Sequence, residues 1–216
     1  MVYNISKNNP LIGQIVAELR DVEIQQDRQK FRLNLERLGQ AFAYEIARHL
    51  PTQNIDVVSP FGVAQCSVLA EQPVLGTILR AGLPLHNGLL YFFDRADCAY
   101  MTAYRKHSKS GKFTIKLDYV SCPNLLGRTL ILADPMLATG SSLVLALEEL
   151  IQYGQPRHIH VVTAIASTVG IEEVRRHHPN VSIWTAAIDE ELTAKGYIVP
   201  GLGDAGDLAF GEKMQS

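Results

Sequence analysis

The residues from Leu130 to Ser142 hold the densest chemistry in the chain. Leu130-Ile131-Leu132-Ala133 is a buried apolar strand that delivers a carboxylate, Asp134; the chain then passes through Pro135, Met136, Leu137 and Ala138 into Thr139-Gly140-Ser141-Ser142. An apolar helix follows, opened by Leu143, Val144, Leu145 and Leu147. The first backbone N–H groups of a helix have no partner within it and carry the positive end of its dipole. Gly140 lets a ligand approach the backbone, and the hydroxyls of Thr139, Ser141 and Ser142 add donors. Such a turn suits a phosphate monoester, with Asp134 placed to meet hydroxyls or a metal. The plainer reading is a strand-to-helix turn with Ser or Thr as N-cap. No Lys follows Gly140, so this is not the loop that grips the β- and γ-phosphates of ATP.

Three other segments carry chemistry. Ile78-Leu79-Arg80-Ala81-Gly82-Leu83-Pro84 is a second strand-end loop, and its Arg80 offers a planar fork of donors that matches phosphate or pyrophosphate oxygens; a surface arginine in a turn is the alternative. Tyr104 to Lys112 is the densest basic run. It reads as a solvated hairpin tip, or as a flap that closes over an anionic leaving group with Arg105 as its direct contact. Gly196 to Asp207 carries four glycines in its first eleven residues and favours neither helix nor strand. It is a disordered tail or an ordered loop that reads a ligand with backbone groups. Tyr197, Ile198 and Val199 anchor it and favour the loop, whose N–H and C=O groups could pair with a pyrimidine edge while Asp204 faces a ribose or a metal. The histidines have no spacing that argues for a site.

These loops need elements to position them. Phe31, Leu35, Leu38, Phe42 and Ile46 recur at helical spacing and predict an amphipathic helix from about 28 to 49. Val74 to Leu79 reads as a buried strand, with Pro84 opening a helix. Cys98 to Tyr104 and Phe113 to Val120 read as two strands joined by a polar tip. Further strands are expected near His158 to Ala166 and Val181 to Ile188, with a helix near Val169 to His178. Alternating strands and helices imply parallel pairing with right-handed crossovers. Ligands in such sheets bind at the carboxyl ends of the strands, where Asp134 lies.

Composition narrows the class. The 216 residues, 47% hydrophobic and 19% charged, fit one soluble globular domain over residues 1–216. A formal net charge of −2 gives no electrostatic case for nucleic acid or an acidic membrane as partner. The start lacks the apolar core of a signal peptide, and no apolar run approaches the ~20 residues of a spanning helix. Cys66, Cys98 and Cys122 form no Cys-x-x-Cys pair, which points to free thiols in a reducing cytoplasm.

Asp134 to Ser142, Leu79-Arg80-Ala81-Gly82-Leu83 and Tyr197 to Asp207 together closely resemble uracil phosphoribosyltransferase, a branch of the type I phosphoribosyltransferases. The resemblance runs from Pro10-Leu11 to the glycine-rich tail and includes Ala187 to Leu192. It implies a central, mainly parallel sheet flanked by helices, with a β-hairpin flap and a small C-terminal hood. It also implies transfer of the phosphoribosyl group of 5-phosphoribosyl 1-diphosphate (PRPP) to uracil N1, giving UMP and pyrophosphate, with Mg²⁺ bound mainly through PRPP. Carried over by motif, Asp134, Pro135, Met136, Leu137, Ala138, Thr139, Gly140, Ser141 and Ser142 would hold the ribose 5-phosphate and ribose. Arg80 and Arg105 would bind pyrophosphate, Ile198, Gly203, Asp204 and Ala205 would bind uracil, and Asp204 would also face PRPP. Arg80, Arg105 and Asp204 are the expected catalytic residues. The long helix at 28–49 points to a homodimer or higher homo-oligomer. Two positions depart from the family pattern: the loop reads Thr-Gly-Ser-Ser where many relatives have Thr-Gly-Gly-Ser, and Lys106 to Pro123 lacks the acidic, Pro-containing flap of bacterial enzymes. The altered flap leaves an alternative, a non-catalytic regulator of the same fold that binds PRPP or UMP.

Overall fold

The computed structural model describes residues 1–107 and 113–214, with the side chains of 103–107 and 113–117 excepted. The chain runs β1 (Val2–Asn4), α1 (Pro10–Arg20), a single 3-10 turn (Ile24–Gln26), α2 (Arg28–Ala47), β2 (Thr52–Ser59), β3 (Gly62–Leu69), β4 (Val74–Leu79) and α3 (Leu83–Phe92). It continues through β5 (Asp97–His107), β6 (Phe113–Ser121), β7 (Thr129–Ala133), β8 (Met136–Leu137), α4 (Ser141–Ile151), β9 (His158–Ser167) and α5 (Thr168–His177). β10 (Ser182–Asp189), β11 (Glu191–Leu192), β12 (Ile198–Val199) and α6 (Ala205–Phe210) complete it.

The main sheet has the order β1-β10-β9-β7-β4-β5-β6, with β8 added beside β9. Every pairing in it is parallel except β5 with β6. Its central strands β4 and β7 are buried almost throughout, as strands covered on both faces must be. One face packs against α1, α2 and α3, burying Leu19, Phe31, Leu35, Phe42 and Leu89. The other packs against α4 and α5, burying Leu143, Leu147, Leu150 and Val174. This α/β/α sandwich is the mainly parallel, helix-flanked sheet expected.

The periodic segments behave as read, with small shifts at their ends. The helix expected at 28–49 ends at Ala47, and the chain leaves it through a tighter turn in which the His49 N–H donates to the Ile46 carbonyl. Three features differ more. β2 and β3 form a separate antiparallel ribbon that no periodic burial announced, because β2 is exposed along its whole length. The glycine-rich tail is not without regular structure: Asp204 accepts hydrogen bonds from the Gly206 and Asp207 N–H groups and so starts α6. His49, His158 and His160, which showed no partner spacing, gather beside Tyr3 and Trp184 at the amino ends of β9 and β10. The Trp184 indole N–H donates to His160 Nδ1 at 2.9 Å, and burial holds His160 down to about 3, so it is a neutral core imidazole.

Candidate active site

Helix capping locates the site. Asn9, Asp27, Ser167 and Asp204 cap α1, α2, α5 and α6 with side-chain hydrogen bonds. Among the described residues the helices without such a cap are α3 and α4, which begin at Gly82 and Gly140. Both follow the carboxyl ends of adjacent strands, β4 and β7. The α4 N-terminus opens on the cleft with its first-turn N–H groups not taken by a capping side chain, an arrangement suited to an anionic group, whereas at the start of α3 the Leu83 N–H donates to the Arg80 carbonyl and Pro84 has none to offer.

Gly140 shapes the second of these turns. Its φ is +82°, and a Cβ there would meet the Gly170 carbonyl and the Glu173 Cβ at 2.9 Å. Ser167 braces the same loop, donating to the Ala138 carbonyl at 2.5 Å while accepting from the Gly170 N–H at 2.8 Å. The Thr139 hydroxyl donates to Ser141 Oγ at 3.2 Å. The helix start is thus held from behind by α5, and its N–H groups face the cleft.

Two adjoining cavities occupy that cleft. One, about 180 Å³, lies between the loop from Asp134 to Leu143 and the segments Gly196–Ile198 and Gly203–Gly206. The other, about 170 Å³, is lined by Ile78 to Ala81, Asp134, Ser142, Asp204, Gly206 and Lys213. Asp134 and Asp204 line both. Asp134 keeps an accessible edge on the cleft but is otherwise enclosed, and burial pushes its carboxyl up to about 7; the Met136 N–H, which donates to it, offsets part of that. Arg80 donates to Asp207 Oδ1 and to the Gly211 carbonyl, both at 3.0 Å, so the strand-end loop is tied to α6 beside the second cavity. The Leu79–Arg80 and Val199–Pro200 peptides are cis.

Residues 5–212 match the family model described as uracil phosphoribosyltransferase. The chain belongs to the uracil phosphoribosyltransferase family. A uracil phosphoribosyltransferase of Porphyromonas gingivalis is 47% identical over 214 residues, with 99% of each chain covered. The one from Pyrococcus furiosus is 39% identical over 212 residues, spanning 97% of this chain and 90% of its own. Among solved structures, the AQ2163 protein from Aquifex aeolicus superposes with a TM-score of 0.87 at 31% identity, covering 99% of this chain and 100% of its own. A phosphoribosyltransferase from Corynebacterium diphtheriae, at 12% identity and a TM-score of 0.50, shares the fold over 82% of this chain and 94% of its own.

In this member of the uracil phosphoribosyltransferase family the cleft gathers most residues that the motifs nominate. Asp134, Met136, Leu137, Ala138, Thr139, Gly140, Ser142, Ile198, Gly203, Asp204 and Ala205 line the first cavity, and Arg80 lines the second. Pro135 and Ser141 line neither. Pro135 is buried, and its carbonyl accepts from the Ala164 and Ile165 N–H groups. Arg105 lies in β5 opposite Ile115 of β6, but its side chain is outside the described residues, as is the tip 108–112. Sequence reading missed Ile78, Leu79, Ala81, Leu143, Gly196, Tyr197, Gly206 and Lys213 as lining residues. Gly196, Tyr197 and Gly206 flank the nominated tail residues and could have been found by treating the tail as one surface. Lys213 lies beyond the motif and had no local signal.

Proposed function

We propose that this protein transfers the phosphoribosyl group of PRPP to uracil N1, forming UMP and pyrophosphate. The observation that carries the reading is the cleft itself, where the α4 start, without a side-chain cap and with Arg80 and Asp134 beside it, faces the glycine-rich segment 203–206. In this reading the α4 N-terminus with Thr139, Gly140 and Ser142 holds the 5-phosphate, and Asp134 accepts from ribose hydroxyls. Arg80 at the end of β4 holds the diphosphate, with Arg105 supplying a second guanidinium from β5. Uracil lies against Ile198 and pairs with backbone groups of Gly203 to Ala205. The C1–pyrophosphate bond breaks as positive charge builds on the ribose ring, the bonding pair leaves with pyrophosphate, and uracil N1 forms the new bond from the opposite face, its proton passing to water or to the departing pyrophosphate. The protein's contribution is positioning and stabilisation of the leaving charge.

A divalent cation fits this site. Asp134 and Asp204 supply hard oxygen donors beside both cavities, and the described residues hold no cluster of three protein ligands. Mg²⁺ suits one or two carboxylates plus substrate phosphate oxygens, and when bound it would neutralise charge on the diphosphate.

The remaining parts of the reading concern the whole molecule. Residues 1–216 act as one phosphoribosyltransferase domain, and we place the protein in the cytoplasm, where Cys66, Cys98 and Cys122 stay free. None of the described helices is long and apolar enough to cross a membrane. A homodimer is supported by the β2–β3 ribbon, which exposes Val57, Val58, Phe61 and Val63. A two-stranded ribbon gains little stability alone, and a second copy would cover these side chains.

The test is UMP and pyrophosphate formation from PRPP with Mg²⁺, offering uracil, thymine, cytosine and hypoxanthine separately. Turnover with uracil alone is expected. PRPP binding without turnover on any base would refute the reading and favour the regulator.

A further inference from the structure

α1 forms because Asn9 caps it, Pro10 opens it, and Ile12, Val16 and Leu19 fall on one buried face. That packing carries its last residue, Arg20, to the end of β10, 169 positions away in sequence, where Asp189 stands only 7% exposed. The two side chains meet as a fork on a fork: Arg20 Nη1 donates to Asp189 Oδ2 at 2.8 Å, and Nη2 donates to Oδ1 at 2.7 Å. Each then has one contact more, and both fall on Gly201. Arg20 Nη1 donates to the Gly201 carbonyl at 2.9 Å, while the Gly201 N–H donates to Asp189 Oδ2 at 2.9 Å.

Gly201 has a φ of +59°, and a Cβ there would collide with the Ile198 carbonyl. The next residue is tied as well: the Gln25 side-chain amide faces the Leu202 and Leu19 carbonyls, and with its nitrogen turned toward them it donates to the first at 2.8 Å and to the second at 3.1 Å. Gly203 to Ala205, immediately beyond, line the first cavity. On their far side Asp204 starts α6. The segment is therefore slung between a polar clamp and a helix cap. Stability alone does not call for such a pair, because well-packed apolar side chains of similar volume serve as well or better. What an apolar pair cannot do is fix both polar groups of one residue in a sequence rich in glycine.

We propose that Arg20 and Asp189 are positioning residues for nucleobase recognition: their paired side chains hold Gly201, and Gly201 sets where Gly203 to Ala205 present their backbone groups. This rests on the reading of the cleft given above. Neither residue touches the base.

The test uses the full chain as R20K, R20M and D189N, each checked for folding by circular dichroism. Lysine keeps the charge but lacks the fork. KM for uracil is expected to rise about tenfold to a hundredfold in R20K and D189N, with KM for PRPP within about twofold of wild type. In the ligand-free protein, amide hydrogen exchange across residues 198–206 is expected to speed up about tenfold. Folded R20K with unchanged uracil KM, or with PRPP KM rising in parallel, overturns the proposal; loss of melting temperature alone marks a structural pair. Should wild type turn over no uracil, the reading of the cleft has failed, and exchange across 198–206 still decides the clamp: unchanged exchange in R20M and D189N overturns it.

Discussion

Asp134→Asn tests the link between the site and the fold most directly. The carboxyl, ordinarily near 3.8, is pushed up to about 7 by burial. Between those values the folded protein keeps a proton that the unfolded chain has released, so stability falls as pH rises through that window and levels off above about 7. At ~1.4 kcal/mol per pH unit, ionised Asp134 costs the fold at most ~4 kcal/mol above pH 7. Its accessible edge on the cleft halves that to ~2 kcal/mol, which for a chain of this size is about 4–8 °C in melting temperature. Asparagine keeps an oxygen for the Met136 N–H and removes the charge.

The assay is thermal unfolding of both proteins from pH 4.5 to 8.5, with PRPP binding measured alongside. The variant should melt higher at pH 8, with the gap shrinking toward pH 4.5. Its PRPP affinity should drop about tenfold at pH 8, because a carboxylate that accepts ribose hydroxyls binds best when ionised. Wild-type affinity should therefore rise between pH 6 and 8 more steeply than that of the variant, the ionisation of PRPP itself being common to both. A melting difference that is constant across this pH range would refute the argument, since it would put the Asp134 carboxyl in its ordinary range.

Other substitutions address other parts of the cleft. Arg80→Ala should lower kcat/KM for uracil and PRPP by ~2–4 kcal/mol of transition-state stabilisation, as for loss of one preorganised charge contact. Its melting temperature should barely move, because the half-exposed pair with Asp207 contributes only ~0–1 kcal/mol; near-normal turnover would remove Arg80 from the reaction. Gly140→Ala forces a left-handed residue against Gly170 and Glu173 and should cost at least about 1–2 kcal/mol of stability, the backbone conformation alone accounting for that much, together with weaker PRPP binding. Melting and PRPP titration check both, and an unchanged PRPP affinity would separate Gly140 from the phosphate. Val58→Asp with Phe61→Asp should convert a dimer to monomer in sedimentation velocity; a wild-type protein already monomeric at micromolar concentration would remove the ribbon's role.

The buried parts of this fold were legible because burial writes a period into the sequence. Val74–Leu79 carries no charge because both faces of β4 are covered, and Phe31 to Ile46 repeat at helical spacing because one face of α2 is buried against α3 and the core beneath it. Where burial is absent the period is absent too, and the ribbon Thr52–Leu69 escaped notice. The site was legible through local rules: a carboxylate at a strand end, small residues at a helix start, glycines in a run. Those rules nominate Asp134, Gly140 and Gly203 without knowing what lies across the cleft. They also overreach, since a contiguous motif sweeps in Pro135, whose carbonyl is spent on β9. What they cannot reach is any contact between residues far apart in the chain. Arg80 with Asp207 joins positions 127 apart, and Arg20 with Asp189 positions 169 apart. Nothing in the neighbourhood of either arginine names its partner, because the pairing follows from where β4, β10, α1 and α6 end. The motif supplies the groups that meet the substrate, and the topology supplies the ion pairs that aim them. A glycine-rich loop can therefore be read as a recognition surface from sequence, while the reason it holds one shape is visible only in three dimensions.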